Sequence, residues 1–435
     1  MKTASAFTMA LLVSVAGLAA DVPARLPAPD GKPGSVSKPV KVYILAGQSN
    51  MVGMGDLQGA KNFYDGVYLS SDASVPDQSF QIYQIGNFKT SPLTIFGSDG
   101  TPTDRPVAVG QFEVPQQGVY QLHCGFEESS FCRLELDGNE VYRRDAGGKP
   151  IMQDVTLKPG KRYAFKISQF KGEPPRFWMQ KNHLLGNGDL QAVAKRDGKF
   201  PWLVDDQGNW TVRNDVYFQE ARLAEGGAGS PLSATSNGKS IGPELGFGYV
   251  LGTFHEEHVL LIKTAQGNRS LGFDFRPPSS GRTDPSNQFE SAEYRMMVDG
   301  VRKTLDNIGK VVPGYQGQGY EIAGFVWFQG HKDSFSETLI DEYEQHLVNL
   351  INDIRRDFDR PKLPAVVATV GFGGRNMQEK FLRIHKAQMA VGDAKLHPEY
   401  AGNVASIDTR DFWREVDESP TSQDYHYNRN AETSC

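Results

Sequence analysis

The chain has 435 residues, more than one hydrophobic core usually organises, so two domains are expected. Its 46 Lys and Arg nearly balance its 52 Asp and Glu, giving a formal net charge of −6, and no long run of either sign occurs. That balance argues against nucleic acid or an anionic membrane as the main partner.

The first twenty residues carry Lys2, an apolar stretch over residues 4–18, and small residues at Gly17, Ala19 and Ala20. This pattern predicts a secretory signal over 1–20, since the apolar run is shorter than the roughly 20 residues that span a bilayer. Export to the periplasm or the extracellular space is expected, with a soluble mature chain starting near Ala20 or Asp21. Residues 21–39 are rich in Pro, Gly, Ser and Lys and are read as a flexible leader. The β-branched apolar run over 40–46, ending at Gly47, has the character of a strand buried in a parallel sheet.

From about residue 107 to 170 the pattern changes to period-two alternation. Examples are Val119-Tyr120-Gln121-Leu122-His123-Cys124 and Cys132-Arg133-Leu134-Glu135-Leu136, with turn signals at Asp137-Gly138 and Pro159-Gly160. Short alternating strands with regular turns predict a β-sandwich, and its limits are placed at 61 and 181. Cys124 and Cys132 either bridge neighbouring strands in an oxidising compartment or serve as small buried hydrophobes.

Beyond the insert, strand-like runs recur at 258–265, 322–328, 365–370 and 403–407. Helical patterns lie between them: 243–254, then Tyr294, Met297, Val301, Leu305 and Ile308 on one face, then Ile340, Tyr343, Leu347, Leu350, Ile351 and Ile354. A further amphipathic stretch over 376–391 should pack through Phe381, Ile384 and Met389. Alternating strand and helix predict a doubly wound, mostly parallel α/β sheet in three layers. A βαβ crossover needs only about 30 residues, yet more than two hundred separate Ala46 from His258. The sandwich is therefore an insertion in a discontinuous α/β domain formed by 40–60 and 182–435.

Directly after the first strand stands Ala46-Gly47-Gln48-Ser49-Asn50-Met51, followed by glycines at 53 and 55. The string resembles the GQSNM block of the SGNH hydrolases, in their sialate O-acetylesterase and carbohydrate esterase family six branch. Three further blocks follow in the family's order. Leu261 to Leu271 is similar to the second block, Phe325-Val326-Trp327-Phe328-Gln329-Gly330-His331-Lys332-Asp333 to the W-x-Q-G block, and Tyr425-His426-Tyr427-Asn428-Arg429-Asn430 to the histidine block. With Asp274 to Pro278, the resemblance covers nearly all of the chain outside the leader and the insert.

The resemblance implies a carbohydrate O-acetylesterase working through an acyl-enzyme, with Ser49 as nucleophile and His426 as general base. A serine hydroxyl needs such a base to become nucleophilic. The resemblance assigns the oxyanion hole to the backbone N–H of Ser49, the backbone N–H of Gly267 and the side-chain amide of Gln329. No cofactor is implied, and no His-x-x-x-His pair or Cys/His cluster at zinc spacing is present. Taken alone, Ser49 also fits a helix N-cap.

Several positions depart from the family pattern. Many SGNH enzymes carry an Asp three residues before the histidine, where this chain has Gln423. Asp424 is the first choice for the orienting acid, with Asp333, Asp408 or a backbone carbonyl as alternatives. His331 stands where many relatives have Glu, and Asn268 where a second glycine is usual. The departures at His331 and Gln423 motivate a second hypothesis, a glycan-binding protein on an inactive SGNH scaffold. The acetylated sugar, whether sialic acid, xylan or another, is left open. An ordinary histidine base predicts activity rising through about pH 6 to 7.

Within the insert, Arg133 to Tyr142 and Val155 to Tyr163 resemble the β-sandwich first known from anthrax protective antigen. That likeness implies glycan binding or a spacer role, and Tyr120, Phe126, Tyr142 and Phe170 either stack on sugars or pack the core.

Overall fold

The computed structural model describes residues 25–57, 62–63, 67–69, 81–83, 108–112, 118–125, 132–145, 151–158, 160–161, 163–168, 176–181, 188–222, 229–238, 240–415 and 426–434. The signal segment over 1–20 lies outside them, as do Gln423 and Asp424. No helix among the described residues is long and apolar enough to cross a membrane.

The α/β part is built on seven strands: β1 (Val40–Gly47), β2 (Val212–Glu220), β3 (Ser230–Ser233), β4 (Val259–Ala265), β5 (Tyr320–Phe328), β6 (Ala365–Ala368) and β7 (Val404–Ile407). They lie in the order β3-β2-β4-β1-β5-β6-β7. All neighbours are parallel except the edge strand β3, which runs antiparallel to β2. Alternate residues of β1 feed two cores. Val40, Val42, Ile44 and Ala46 join one cluster with Leu260, Ile262, Phe325 and Trp327, and Leu45 joins the other with Leu261 and Val259. The four principal helices are α2 (Pro243–Phe254), α3 (Ala292–Asp306), α4 (Tyr343–Asp357) and α5 (Glu379–Val391); α1 (Ser49–Val52) is a single turn. α3, α4 and α5 cover the first face and α2 the second, which is the doubly wound arrangement expected from the sequence.

The apolar stripes on α3 and α4 are buried as predicted. On α5 the core position expected for Met389 is taken instead by Gln388. Its amide donates to the Gln329 carbonyl at 2.5 Å and to Tyr343 Oη at 3.1 Å, and accepts from Val370 N–H at 2.7 Å, so a polar side chain is satisfied where an apolar one was expected. The sequence pattern also concealed β2, because Arg213, Asn214 and Asp215 interrupt it. Arg213 is buried beside Asp215 and donates to the Tyr249 and Gly252 carbonyls of α2. Part of the stretch read as a leader packs on the domain: Leu26 is buried in the core, and Ser35 N–H donates to the Glu256 carbonyl at 2.7 Å.

Among the described residues, two larger antiparallel sheets lie between Asn62 and Lys181, besides a two-stranded one formed by Val67–Leu69 and Gln81–Tyr83. One has five strands in the order Ile151–Met152, Asn139–Arg144, Cys132–Leu136, Tyr163–Ser168 and Ala108–Phe112. The other has four: Asp154–Leu157, Gly118–Gly125, Arg176–Lys181 and Asn62–Phe63. Phe63 pairs with Gln180 and Asn62 with Lys181. Tyr120 and Tyr142 are buried in this region; of the four aromatic residues considered for sugar stacking, these two pack inside. Phe126 and Phe170 lie outside the described residues. The backbones of Cys124 and Cys132 sit on strands of different sheets, and their side chains lie outside the described residues.

Candidate active site

The central position of β1 between β4 and β5 decides where the chemistry gathers. Gly47 is in register with Ala265 of β4 and Phe328 of β5, so Ser49, Gly267 and Gln329 each leave the carboxyl end of one of three adjacent parallel strands. That edge is where open α/β sheets bind ligands. Only glycine fits at 47, because a Cβ there would sit 2.1 Å from the Phe328 carbonyl oxygen. The chain then enters α1 at Ser49, whose N–H belongs to the helix start and has no intrahelical acceptor. A Cβ built on Gly267 would lie 3.9 Å from Ser49 Cβ, which sets the second backbone donor beside the serine.

His426, 377 residues further along the chain, places Nε2 2.6 Å from Ser49 Oγ. This is hydrogen-bond distance between a hydroxyl and a base. His426 is largely buried, and that burial, reinforced by His331 and Arg429, pushes its imidazole down to about 3. The ring is therefore neutral at pH 7 and able to accept the serine proton. Among the described residues, burial, His331 and Arg429 thus favour the neutral imidazole below the ordinary histidine range.

The loop bearing His426 is a short 3₁₀ turn, His426–Arg429, in which His426, Tyr427 and Arg429 have φ of 54°, 48° and 58°. Non-glycine residues in this left-handed region cost on the order of 1 kcal/mol or more each and persist only where surroundings enforce them. The enforcing contacts are specific. Arg429 donates to the Met54 carbonyl at 3.2 Å and to Asp56 Oδ1, the Tyr427 hydroxyl is 2.5 Å from Thr409 Oγ1, and Ala431 N–H donates to the Gly188 carbonyl at 2.6 Å. Burial pushes the Asp56 carboxyl up to about 6 against the pull of Arg429, and its Oδ2 has no hydrogen-bond partner among the described residues.

The other residues anticipated from sequence are placed as follows. Gln329 donates its amide to the Arg269 carbonyl at 2.8 Å and to Asp333 Oδ2 at 2.5 Å, and its Oε1 accepts from Tyr343 at 2.8 Å. To serve an oxyanion, one of its two N–H groups would have to leave these partners. Asp333 is fully buried and also accepts from Leu271 N–H and Gly272 N–H, both at 2.9 Å. Burial pushes it up to about 6 against those donors. As an alternative orienting acid it is turned the wrong way: its oxygens stitch the second block to the third. Asp408 is engaged by Arg410 at 2.6 Å and Arg375 at 3.2 Å, and the hydrogen bonds from Arg410 hold it well below the carboxylate range. His331 packs among Phe335, Phe372 and Phe381 with ring centroids 4.9–5.6 Å away, and burial with Lys380 and Lys332 lowers it to about 4. Asn268 has φ 58°, so the asparagine that replaces the family's second glycine adopts the left-handed backbone a glycine would take. Asn is among the few residues that do so readily.

The sequence reading missed the ties around these residues. Gln48 Oε1 accepts from Gly330 N–H at 3.3 Å and Lys332 N–H at 3.2 Å, joining the first block to the third. Arg429 and Asp56 join the first block to the histidine loop. Among the described residues, no group of three or more His, Cys, Asp or Glu is placed to hold a metal ion.

Residues 201–433, more than half of the chain, match the family described as carbohydrate esterase, sialic acid-specific acetylesterase. The chain belongs to this family. The matched span of this carbohydrate esterase includes Gly267, Gln329 and His426 and begins after Ser49, so the serine is connected to it here by the hydrogen bond to His426. Among solved structures, it is similar to a protein of Arabidopsis thaliana (16% identity, 52% of this chain and 79% of that chain, TM-score 0.36). A carbohydrate acetylesterase from Xanthomonas citri (11%, 76% and 69%, 0.35) and the protein NanS (13%, 87% and 79%, 0.30) are also similar. No curated protein matches the sequence.

Proposed function

We propose that this carbohydrate esterase removes acetyl groups from sugars by a serine acyl-enzyme mechanism. Ser49 Oγ attacks the acetyl carbonyl while His426 Nε2 takes its proton. The negative charge on the carbonyl oxygen is met by the N–H groups of Ser49 and Gly267, with Gln329 as the third donor if its amide turns. The sugar hydroxyl then leaves, receiving the proton from His426. Water, deprotonated by the same nitrogen, attacks the acetyl-serine and releases acetate. The observation that carries this reading is the 2.6 Å contact between Ser49 Oγ and a neutral His426 Nε2.

Asp424 remains the carboxylate we assign to orient His426, because Asp333 and Asp408 face other donors. Asp424→Asn should lower turnover by more than about a hundredfold; near-normal turnover would leave a Ser-His dyad. We assign the chain to an exported protein on the strength of residues 1–20, and residues 61–181 to a separate inserted domain that helps to hold polymer. Deleting that insert should spare aryl acetate hydrolysis and weaken activity on acetylated polymer.

The decisive experiment is hydrolysis of an aryl acetate by the full chain and by Ser49→Ala. Loss of turnover by about 10⁴-fold or more with an unchanged melting temperature is expected. Turnover within tenfold would reject Ser49. Acetate release from O-acetylated sialic acid and from acetylated xylan, measured side by side, identifies the sugar.

A further inference from the structure

A turn as short as α1 cannot satisfy its own final carbonyls. The carbonyl of Val52, its last residue, accepts from Lys263 Nζ at 2.8 Å and from Asn237 Nδ2 at 2.8 Å. Lys263 is completely buried on β4 and pairs at 2.9 Å with Glu244 Oε2, also buried, on the first turn of α2. Glu244 Oε1 in turn accepts from Gly242 N–H, the N-cap of α2, at 2.9 Å. Backbone meets backbone at the same place: a Cβ on Gly53 would lie 2.9 Å from Gly242 N, and one on Gly242 would lie 2.7 Å from Gly53 Cα.

A buried ion pair is weak evidence of a stabilising role, because well-packed apolar residues of similar volume often do as well or better. The placement of this pair offers another reason for it. Lys263 is in register with Leu45 and stands four residues before Gly267. One side chain thus reaches from the strand that delivers the Gly267 N–H to the far end of the turn that delivers the Ser49 N–H. We infer that Lys263 and Glu244 are positioning residues that fix the separation of these two backbone donors, and so the geometry of the oxyanion site. The inference rests on Ser49 being the nucleophile.

The test removes both charges together, so that no buried ion is left unpaired, in Lys263→Met/Glu244→Gln; glutamine keeps an acceptor for Gly242 N–H. Four quantities are read: kcat and KM on an aryl acetate, the inhibition constant of an aryl trifluoromethyl ketone, which adds to a serine to leave an oxyanion, and the melting temperature. The expected result is kcat lower by about 10²-fold, KM within about threefold, and ketone affinity weakened in step with kcat. A pair that only supports the core would shift the melting temperature while the folded protein kept its kcat and its ketone affinity, and that result overturns the inference. Should the double variant fail to fold, Asn237→Ala decides. It removes the other donor to the same carbonyl from a half-buried side chain, and is expected to lower kcat by about tenfold at constant KM; unchanged kcat would overturn the inference. Failure of the nucleophile assignment would look different, with the ketone binding the unaltered protein and Ser49→Ala equally well.

Discussion

Ser49 stands at the end of a strand paired on both sides along its length, above a completely buried Lys263 and beside glycines admitted by close backbone contact. His426 stands on a four-residue turn with three non-glycine residues in the left-handed region, held by side chains that reach it from other segments. The Ser49 side is thus placed by sheet geometry, which the register of parallel strands fixes. The His426 side is placed by individual contacts, each of which one substitution can remove. Substitutions near His426 should therefore reduce turnover with little loss of stability, whereas those beneath the sheet edge should affect both.

The sharpest way to break this comparison is at the base itself. His426→Ala should lower kcat on an aryl acetate by about 10⁴-fold or more, measured beside a melting curve that changes little; a loss under tenfold would mean another group accepts the serine proton. Next in size is Asp333→Ala, which strips acceptors from Leu271 N–H, Gly272 N–H and the Gln329 amide. Each buried donor left unsatisfied costs about 1–3 kcal/mol, so thermal denaturation should show a marked loss of stability together with a fall in kcat. Unaltered stability would contradict the stitching role.

Arg429→Met, in contrast, should lower kcat by about tenfold at nearly constant KM, because it frees the histidine turn from Met54 and Asp56. A change in KM alone would show that Arg429 meets substrate instead. The same variant sharpens the pH dependence. Burial, His331 and Arg429 all lower His426, so kcat/KM should stay on its plateau from pH 7 down to about 5 and fall below that as the imidazole takes up a proton. Removing the Arg429 charge should move the limb upward; a limb at pH 6 to 7 in the unaltered protein would contradict the burial argument. The smallest effect is expected at Asn268→Gly. With φ already at 58°, glycine relieves a mild backbone cost and adds unfolded-state freedom, so stability should change by less than about 1 kcal/mol and activity should persist. Loss of activity would show that the Asn268 side chain itself takes part.

The contrast also explains how much could be read from sequence. Strands β1, β4 and β5 and the stripes of α3 and α4 were legible because burial on a sheet or helix face imposes a period on the residues. Ser49, Gly267 and Gln329 were named through the resemblance of their blocks to those of the SGNH hydrolases, and each comes shortly after such a strand. β2 was not legible, because a buried Arg213 paired with Asp215 resembles exposed polar sequence until its partners on α2 are known. The same holds for Gln388 in the core. Asp333 was noticed as a carboxylate near the site, but the N–H groups that claim it come from residues 271 and 272, about sixty positions away, and no local pattern announces such a tie. Asn268, read as a departure from the family, has the left-handed backbone that glycine and asparagine adopt most readily.

The proposed mechanism requires that the hydroxyl beside His426 is the one that becomes acylated. Incubation of the full chain with diethyl p-nitrophenyl phosphate, followed by peptide mass analysis, tests this directly. One diethylphosphoryl group per chain should appear on Ser49, in step with loss of esterase activity, and its formation should slow greatly in His426→Ala. Inactivation with the label on a different residue, or a labelling rate indifferent to His426, would contradict the account.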